Sequence, residues 1–235
     1  MQRVFCLIPA RNEARRIAPV LEAVLKCRDI IDEIYVIDNG STDTTGSVAR
    51  ASGVRVIEYS RPGKGGAVAY AMRLLTQPND VILLLDADLR GLTERHIREL
   101  IAPVVNGRYM QSAGIRDGGL LRRNAWRYHI GLSGERCFRA SLLWEIHELD
   151  YQGWALEVAL NSICRWSPKR RKKEIAKLLL RGVYDTPKQE KLDSYETHFR
   201  AWRTKTRVAL EVSIGLVRFC LPTGLKPYLA LPRRI

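Results

Sequence analysis

At 235 residues the chain is long enough for one large domain, or one domain with a C-terminal appendage. Hydrophobic residues make up 46% and charged residues 27%, which supports a packed core and excludes a generally disordered chain. The net charge of +14 selects anionic partners: nucleotide phosphates, phosphorylated acceptors, acidic lipid headgroups or nucleic acid.

The five cysteines are scattered, odd in number and never in a C-x-x-C pair. That argues against a zinc site or a disulfide framework and for a reducing compartment, hence an expected cytoplasmic location. The first apolar run, Val4 to Ile8, is cut by Pro9 and followed by Arg11, Asn12 and Glu13, so it does not read as a signal peptide. The longest later run, Val208 to Pro222, carries Glu211 and Arg218 and falls short of the ~20 residues that span a bilayer. No transmembrane helix is expected.

Val4–Pro9 reads as a buried strand, and Ala14–Lys26 as a helix with Ile17, Val20, Leu21, Val24 and Leu25 on one face. Ile34–Ile37 is a second strand ended by Asp38-Asn39-Gly40-Ser41, and Thr42–Ser52 a helix closed by Gly53. Val54–Tyr59 is a third strand, residues 61–66 a loop, Ala67–Leu75 a helix and Val81–Leu85 a continuous apolar strand. Thr93–Val105 reads as a helix, Gly114–Asn124 as a mobile Gly/Arg loop and Gly153–Trp166 as a helix. Ile175–Val183 is strand-like, although residues 176–180 fit a helix equally well, and Glu190 to Cys220 reads as mostly helix.

Strand and helix taking turns at this spacing means βαβ units and a mostly parallel α/β sheet flanked by helices. Ligands of such sheets sit outside the carboxyl ends of the strands. Three polar clusters, Arg11-Asn12-Glu13, Asp38-Asn39-Gly40-Ser41 and Asp86-Ala87-Asp88, each follow a strand directly. They therefore converge on one edge.

Asp86 and Asp88, two apart at the end of an extended segment, would point the same way and repel unless a cation sits beside them. Oxygen ligands suit Mg²⁺ or Mn²⁺, which keep positions open for phosphate oxygens. Asp38 can accept from a base imide or a ribose hydroxyl, while Asp43 favours the following helix N-terminus. Lys64 stands among Gly63, Gly65 and Gly66, where close backbone approach and free N–H groups suit a phosphate. The P-loop spacing is absent. Glu157 and Asn161, at i and i+4 on an otherwise apolar helix, form a narrow polar stripe whose carboxylate suits a general base or an acceptor-hydroxyl ligand.

Residues 8–13 (Ile-Pro-Ala-Arg-Asn-Glu), 36–43, 63–67 and 85–88, in that order and spacing, resemble family-two nucleotide-sugar glycosyltransferases over roughly the first hundred residues. The resemblance implies a GT-A (Rossmann-like) fold and a nucleotide-diphosphate sugar donor, with a UDP-sugar favoured. It places Pro9, Arg11, Glu13 and Asp38 around the nucleoside, Lys64 near base or phosphate, and Asp86, Ala87 and Asp88 at a metal-bound diphosphate. Residues 132–139 and 153–157 look like the acceptor half of the branch containing glucosyl-3-phosphoglycerate synthases and polyprenyl-phosphate sugar transferases. By that likeness Ser133, Gly134 and Arg136 would hold an anionic or lipid-phosphate acceptor, with Glu157 and Asp88 as catalytic residues. Many relatives supply a late histidine as third metal ligand. Here Asp185 stands nearest that place and is the expected substitute beside Asp86 and Asp88.

Residues 1–189 are accordingly expected to form the catalytic domain, with 1–105 the donor half, 106–189 the acceptor half and 190–235 a basic helical extension. Lys169–Lys173 and Arg200–Arg207 are charge clusters. The second, interleaved with Phe199 and Trp202, fits a helix at a membrane interface and equally a helix packed on its own domain. No nucleic-acid recognition motif is present. Two rivals stay open: a nucleotidyltransferase on a related sheet, and a non-enzymatic basic protein that binds membranes or nucleic acid.

Overall fold

The computed structural model describes residues 2–61, 63–117, 133–144, 156–157, 160–161 and 175–185. Apolar runs too short for helices become strands: β1 (Val4–Ala10), β2 (Glu33–Asp38), β3 (Arg55–Glu58) and β4 (Val81–Leu84). They pair in parallel in the spatial order β3-β2-β1-β4. The sheet continues through β7 (Arg136–Arg139), β6 (Gln111–Arg116) and β8 (Ile175–Leu180) to seven strands. A separate ribbon pairs β5 (Leu89–Arg90) with β9 (Tyr184–Asp185).

Alternate residues of β1 serve different cores, as strand pleating requires. Val4, Cys6 and Ile8 face a layer with buried residues of α1 (Ile17–Leu25) and α4 (Glu94–Val105). Phe5 and Leu7 face the opposite layer, where α3 (Lys64–Leu75) packs with α5 (Ser141–Trp144) and with helical Leu156 and Leu160. Burial on both faces explains why β1 and β4 read as continuous hydrophobic runs.

Three expectations change. The second helix, α2 (Thr45–Ala51), starts later than residue 42. Asp38 Oδ1 accepts the Ser41 N–H at 2.9 Å and Asp43 Oδ1 accepts the Thr45 N–H at 2.9 Å, so side chains bend the chain through residues 42–44 before the helix begins. The third helix starts earlier, at Lys64, because Gly63 (φ 121°) turns the chain directly into it. Residues 114–116 are strand rather than mobile loop. A Cβ on Gly114 would lie 2.5 Å from Leu180 Cδ1, so the glycine lets β8 close against β6.

β7 runs antiparallel to both of its neighbours, β4 and β6. Its first residue, Arg136, pairs with Leu84 at the carboxyl end of β4. The approach to β7, residues 133–135, therefore reaches the same edge as the ends of β1, β2, β4 and β6. Among the described residues no helix is long and apolar enough to cross a membrane. The expected extension 190–235, His129, His147 and His198 lie outside the described residues; His96 joins Thr93 in a capping box at the start of α4.

Candidate active site

The nucleoside side is assembled from two loops that hold each other. Asn12 N–H donates to Ser41 Oγ at 3.0 Å, Thr42 N–H to Asn12 Oδ1 at 2.8 Å, and Glu13 N–H to Thr45 Oγ1 at 2.8 Å. Asp43 accepts the Ala14 N–H at 3.2 Å, which makes it a structural residue. Register pairs Pro9 with Ile37 and Ala10 with Asp38, so the expected nucleoside residues share one rim. Arg11 is exposed, and the half-buried Glu13 accepts from Arg16 Nε at 2.5 Å. Asp38 lies against Gly46, where a Cβ would stand 2.8 Å from its Oδ2. Beside it Asn39 is buried with Oδ1 lacking any hydrogen-bond partner, an acceptor that the sequence did not single out.

The diphosphate side is a line of alternating charge. Lys64 Nζ lies 2.6 Å from Asp86 Oδ1 and 3.3 Å from Glu157 Oε1. The other oxygen of Asp86 lies 3.6 Å from Arg116 Nη1, and Arg116 Nε lies 3.5 Å from Glu135 Oε2. Ser133 donates its hydroxyl to Glu135 Oε2 at 2.5 Å. Burial pulls the Lys64 pKa down, but Asp86 and Glu157 outweigh it and hold the ammonium above the ordinary lysine range. Burial pushes the Glu135 carboxyl up to about 7, with Arg116 opposing the rise and Asp86 adding to it. Glu157 is buried, and its Oε2 has no hydrogen-bond partner.

Asp86 and Asp88 do not alternate along a strand as their spacing implied. β4 ends at Leu84, and Ala87 and Asp88 form a turn, so the alternation of an extended strand does not apply to them. Both aspartates are half-buried at the rim, and Ala87 is buried between them. Backbone pairing sets Asp185 opposite Leu89, the residue after Asp88.

The expected acceptor residues part company. Gly134 packs directly on Asp86, because a Cβ there would lie 2.3 Å from Oδ2. Ser133 is buried and turned to Glu135. Arg136 is fully buried, and its guanidinium donates to Ser133 O at 2.7 Å, Gln111 Oε1 at 3.1 Å and Asn161 Oδ1 at 2.8 Å. That arrangement corrects the expectation of a phosphate-holding arginine. Arg136 ties β6, β7 and the helix of Asn161 together from inside. Arg116, in a stretch read as loop, is a cation that does reach the rim.

Lys64 and Arg116 thus face the carboxylates of Asp86, Glu135 and Glu157, and Asp88 follows Asp86 two residues on. The hard oxygen donors and the unpartnered Glu157 Oε2 suit Mg²⁺ or Mn²⁺. Among the described residues no three acidic, histidine or cysteine groups close on one point, so an ion here would take further ligands from phosphate or water.

Residues 5–170 match the model of Glycosyl transferase family 2. Glucosyl-3-phosphoglycerate synthase of Mycobacterium tuberculosis is 32% identical over 114 residues, covering 45% of this chain and 35% of that protein. An uncharacterized glycosyltransferase of Rickettsia felis is 38% identical over 88 residues, covering 37% of this chain and 29% of that protein. The match thus spans about a third of the length of these curated relatives. The crystal structure of the Mycobacterium tuberculosis synthase with Mn²⁺, UDP-glucose and phosphoglyceric acid superposes with a TM-score of 0.72 at 22% identity, covering 94% of this chain and 81% of that one. The same enzyme with Mg²⁺ and UDP gives 0.72 at 23% identity, covering 94% and 80%. The likeness establishes the anticipated GT-A fold. Since the family match runs from β1 past Asn161, through every described group at the rim except Asp185, the chain belongs to glycosyl transferase family 2.

Proposed function

We propose that the chain transfers a hexose from a UDP-sugar to the hydroxyl of a small anionic acceptor of the phosphoglycerate kind, with Mg²⁺ or Mn²⁺ required. The observation that carries this reading is Glu157: a buried carboxylate with one oxygen on Lys64 and the other unpartnered, beside the Asp86–Lys64 pair. A general base needs that combination of a fixed oxygen and an available one. Similarity to proteins solved with UDP-glucose, Mn²⁺ and phosphoglyceric acid supports the choice of donor, ion and acceptor class.

In this reading Pro9, Arg11, Glu13 and Asp38 border the nucleoside. Asp86 and Asp88 would hold the ion, with phosphate and water completing its ligands. Bound there, the ion would stabilise the negative charge that builds on the departing diphosphate. Lys64 keeps its proton and adds positive charge at the same place. Glu157 Oε2 orients the acceptor hydroxyl and takes its proton. The anomeric C–O bond to phosphate breaks, the acceptor oxygen bonds the sugar carbon, and UDP leaves. Ser133 and Gly134 shape the wall against which the acceptor sits.

The test is incubation of the purified protein with UDP-glucose, Mn²⁺ and 3-phosphoglycerate, with GDP-sugars and a polyprenyl phosphate as parallel arms. Release of UDP with a new glycoside is expected, and Asp86→Asn should abolish it. Release of pyrophosphate instead would mark a nucleotidyltransferase, and silence with every donor would end the glycosyltransferase reading.

A further inference from the structure

Both oxygens of Asp86 face cations. Lys64 takes Oδ1 at 2.6 Å, a charge-assisted hydrogen bond, whereas Arg116 stands 3.6 Å from Oδ2, at ion-pair distance. Arg116 is the last residue of β6, and its side chain keeps 12% exposure at the rim. Behind it Glu135 is completely buried, held by the Ser133 hydroxyl, with Oε2 on Arg116 Nε at 3.5 Å. A buried carboxylate so fixed restricts where the guanidinium can point. Arg136, by contrast, is fully buried and donates to Ser133 O, Gln111 Oε1 and Asn161 Oδ1.

An ion that takes Asp86 competes with both cations for the same two oxygens. The anion that arrives with it is the donor's diphosphate. The geometry points to Arg116 as a second diphosphate-binding cation of the donor site, set beside Lys64 and aimed by the buried Glu135. The inference rests on the donor reading above. A guanidinium suits the role because its planar fork matches phosphate oxygens while one edge stays on the carboxylate behind it.

The experiment is titration of the 235-residue chain with three probes: UDP in the presence of Mn²⁺, uridine, and Mn²⁺ alone. Arg116→Met should weaken UDP binding by about tenfold or more, the scale of one lost charge-assisted hydrogen bond. Uridine, which has no phosphate, should bind as before. Mn²⁺ alone should bind more tightly, because a positive charge has left Asp86. A purely structural arginine would not give these opposite signs. Should Arg116→Met fail to fold, with Glu135 buried opposite no charge, Arg116→Met/Glu135→Gln removes the pair together and is read the same way. Unchanged UDP affinity, or equal loss of UDP and uridine, overturns the role of Arg116 alone. Absence of UDP binding by the wild-type chain overturns the donor reading with it.

Discussion

The ammonium of Lys64 sits 2.6 Å from Asp86 Oδ1, joining the first residue of α3 to the loop that leaves β4. Lys64 also spans 93 residues of sequence to reach Glu157. One lysine therefore separates two carboxylates that would otherwise repel. Lys64→Met should lower stability by about 2 kcal/mol, since it strands a buried Glu157, with some relief because Lys64 is 28% exposed. Sugar transfer should fall by about 100-fold, the usual cost of one electrostatic group at a reacting centre. Urea unfolding and UDP release measure the two effects, and wild-type turnover in this variant would remove Lys64 from the site.

Gly134 tests how tightly the rim is built. A Cβ there meets Asp86 Oδ2 at 2.3 Å and Cγ at 2.6 Å, so Gly134→Ala must push the carboxylate off Lys64. Activity should drop about tenfold or more while the melting temperature moves little. Gly53→Ala is the matched control. Its φ is +76° with nothing near the added methyl, so it should cost about 1 kcal/mol of stability and leave turnover intact. Equal effects of the two substitutions on turnover would show that Asp86 tolerates displacement.

Glu135 gives stability a pH dependence of definite sign. Its folded pKa is raised from 4.5 to about 7, so the folded chain holds a proton that the unfolded chain releases. This contribution is fully present below about pH 4.5 and drains away as pH climbs towards about 7. Glu135→Gln cannot lose it. Relative to wild type, the variant should gain stability between about pH 5 and about pH 8 in urea titrations. A difference that stays constant with pH would sink the assignment.

Arg136 should behave as a structural residue. Arg136→Lys keeps the charge but loses the fork that reaches Ser133 O, Gln111 and Asn161 together. A loss of about 2–4 kcal/mol is expected, with little change in acceptor KM for the fraction that folds. A stable variant with a raised acceptor KM would restore the phosphate-holding role.

The donor half was legible because its signals are local. A run such as Ile82-Leu83-Leu84 is apolar throughout only when buried on both faces, and the polar residues after each strand mark where burial ends. What could not be read depends on partners far along the chain. Gly114 looks like a loop residue until Leu180 lies against it. Arg116 shared that misreading and so was missed at the rim. Arg136 has the chemistry of a phosphate ligand, and only the packing of Gln111 and Asn161 around it turns that chemistry inward. The turn at Ala87–Asp88 was hidden because two aspartates spaced by one residue fit a strand end and a turn equally well.

The reversed direction of β7 has a consequence for how such a protein diversifies. β6 leaves the sheet and β7 enters it at one rim, so the connection from Asp117 to Ser133 begins and ends on the same side. Lengthening or shortening that connection asks nothing of the strands, and each doubling of a loop adds only about 0.6 kcal/mol of closure entropy. Insertion and deletion can thus accumulate at this one place while β4, β6 and β7 keep their pairing.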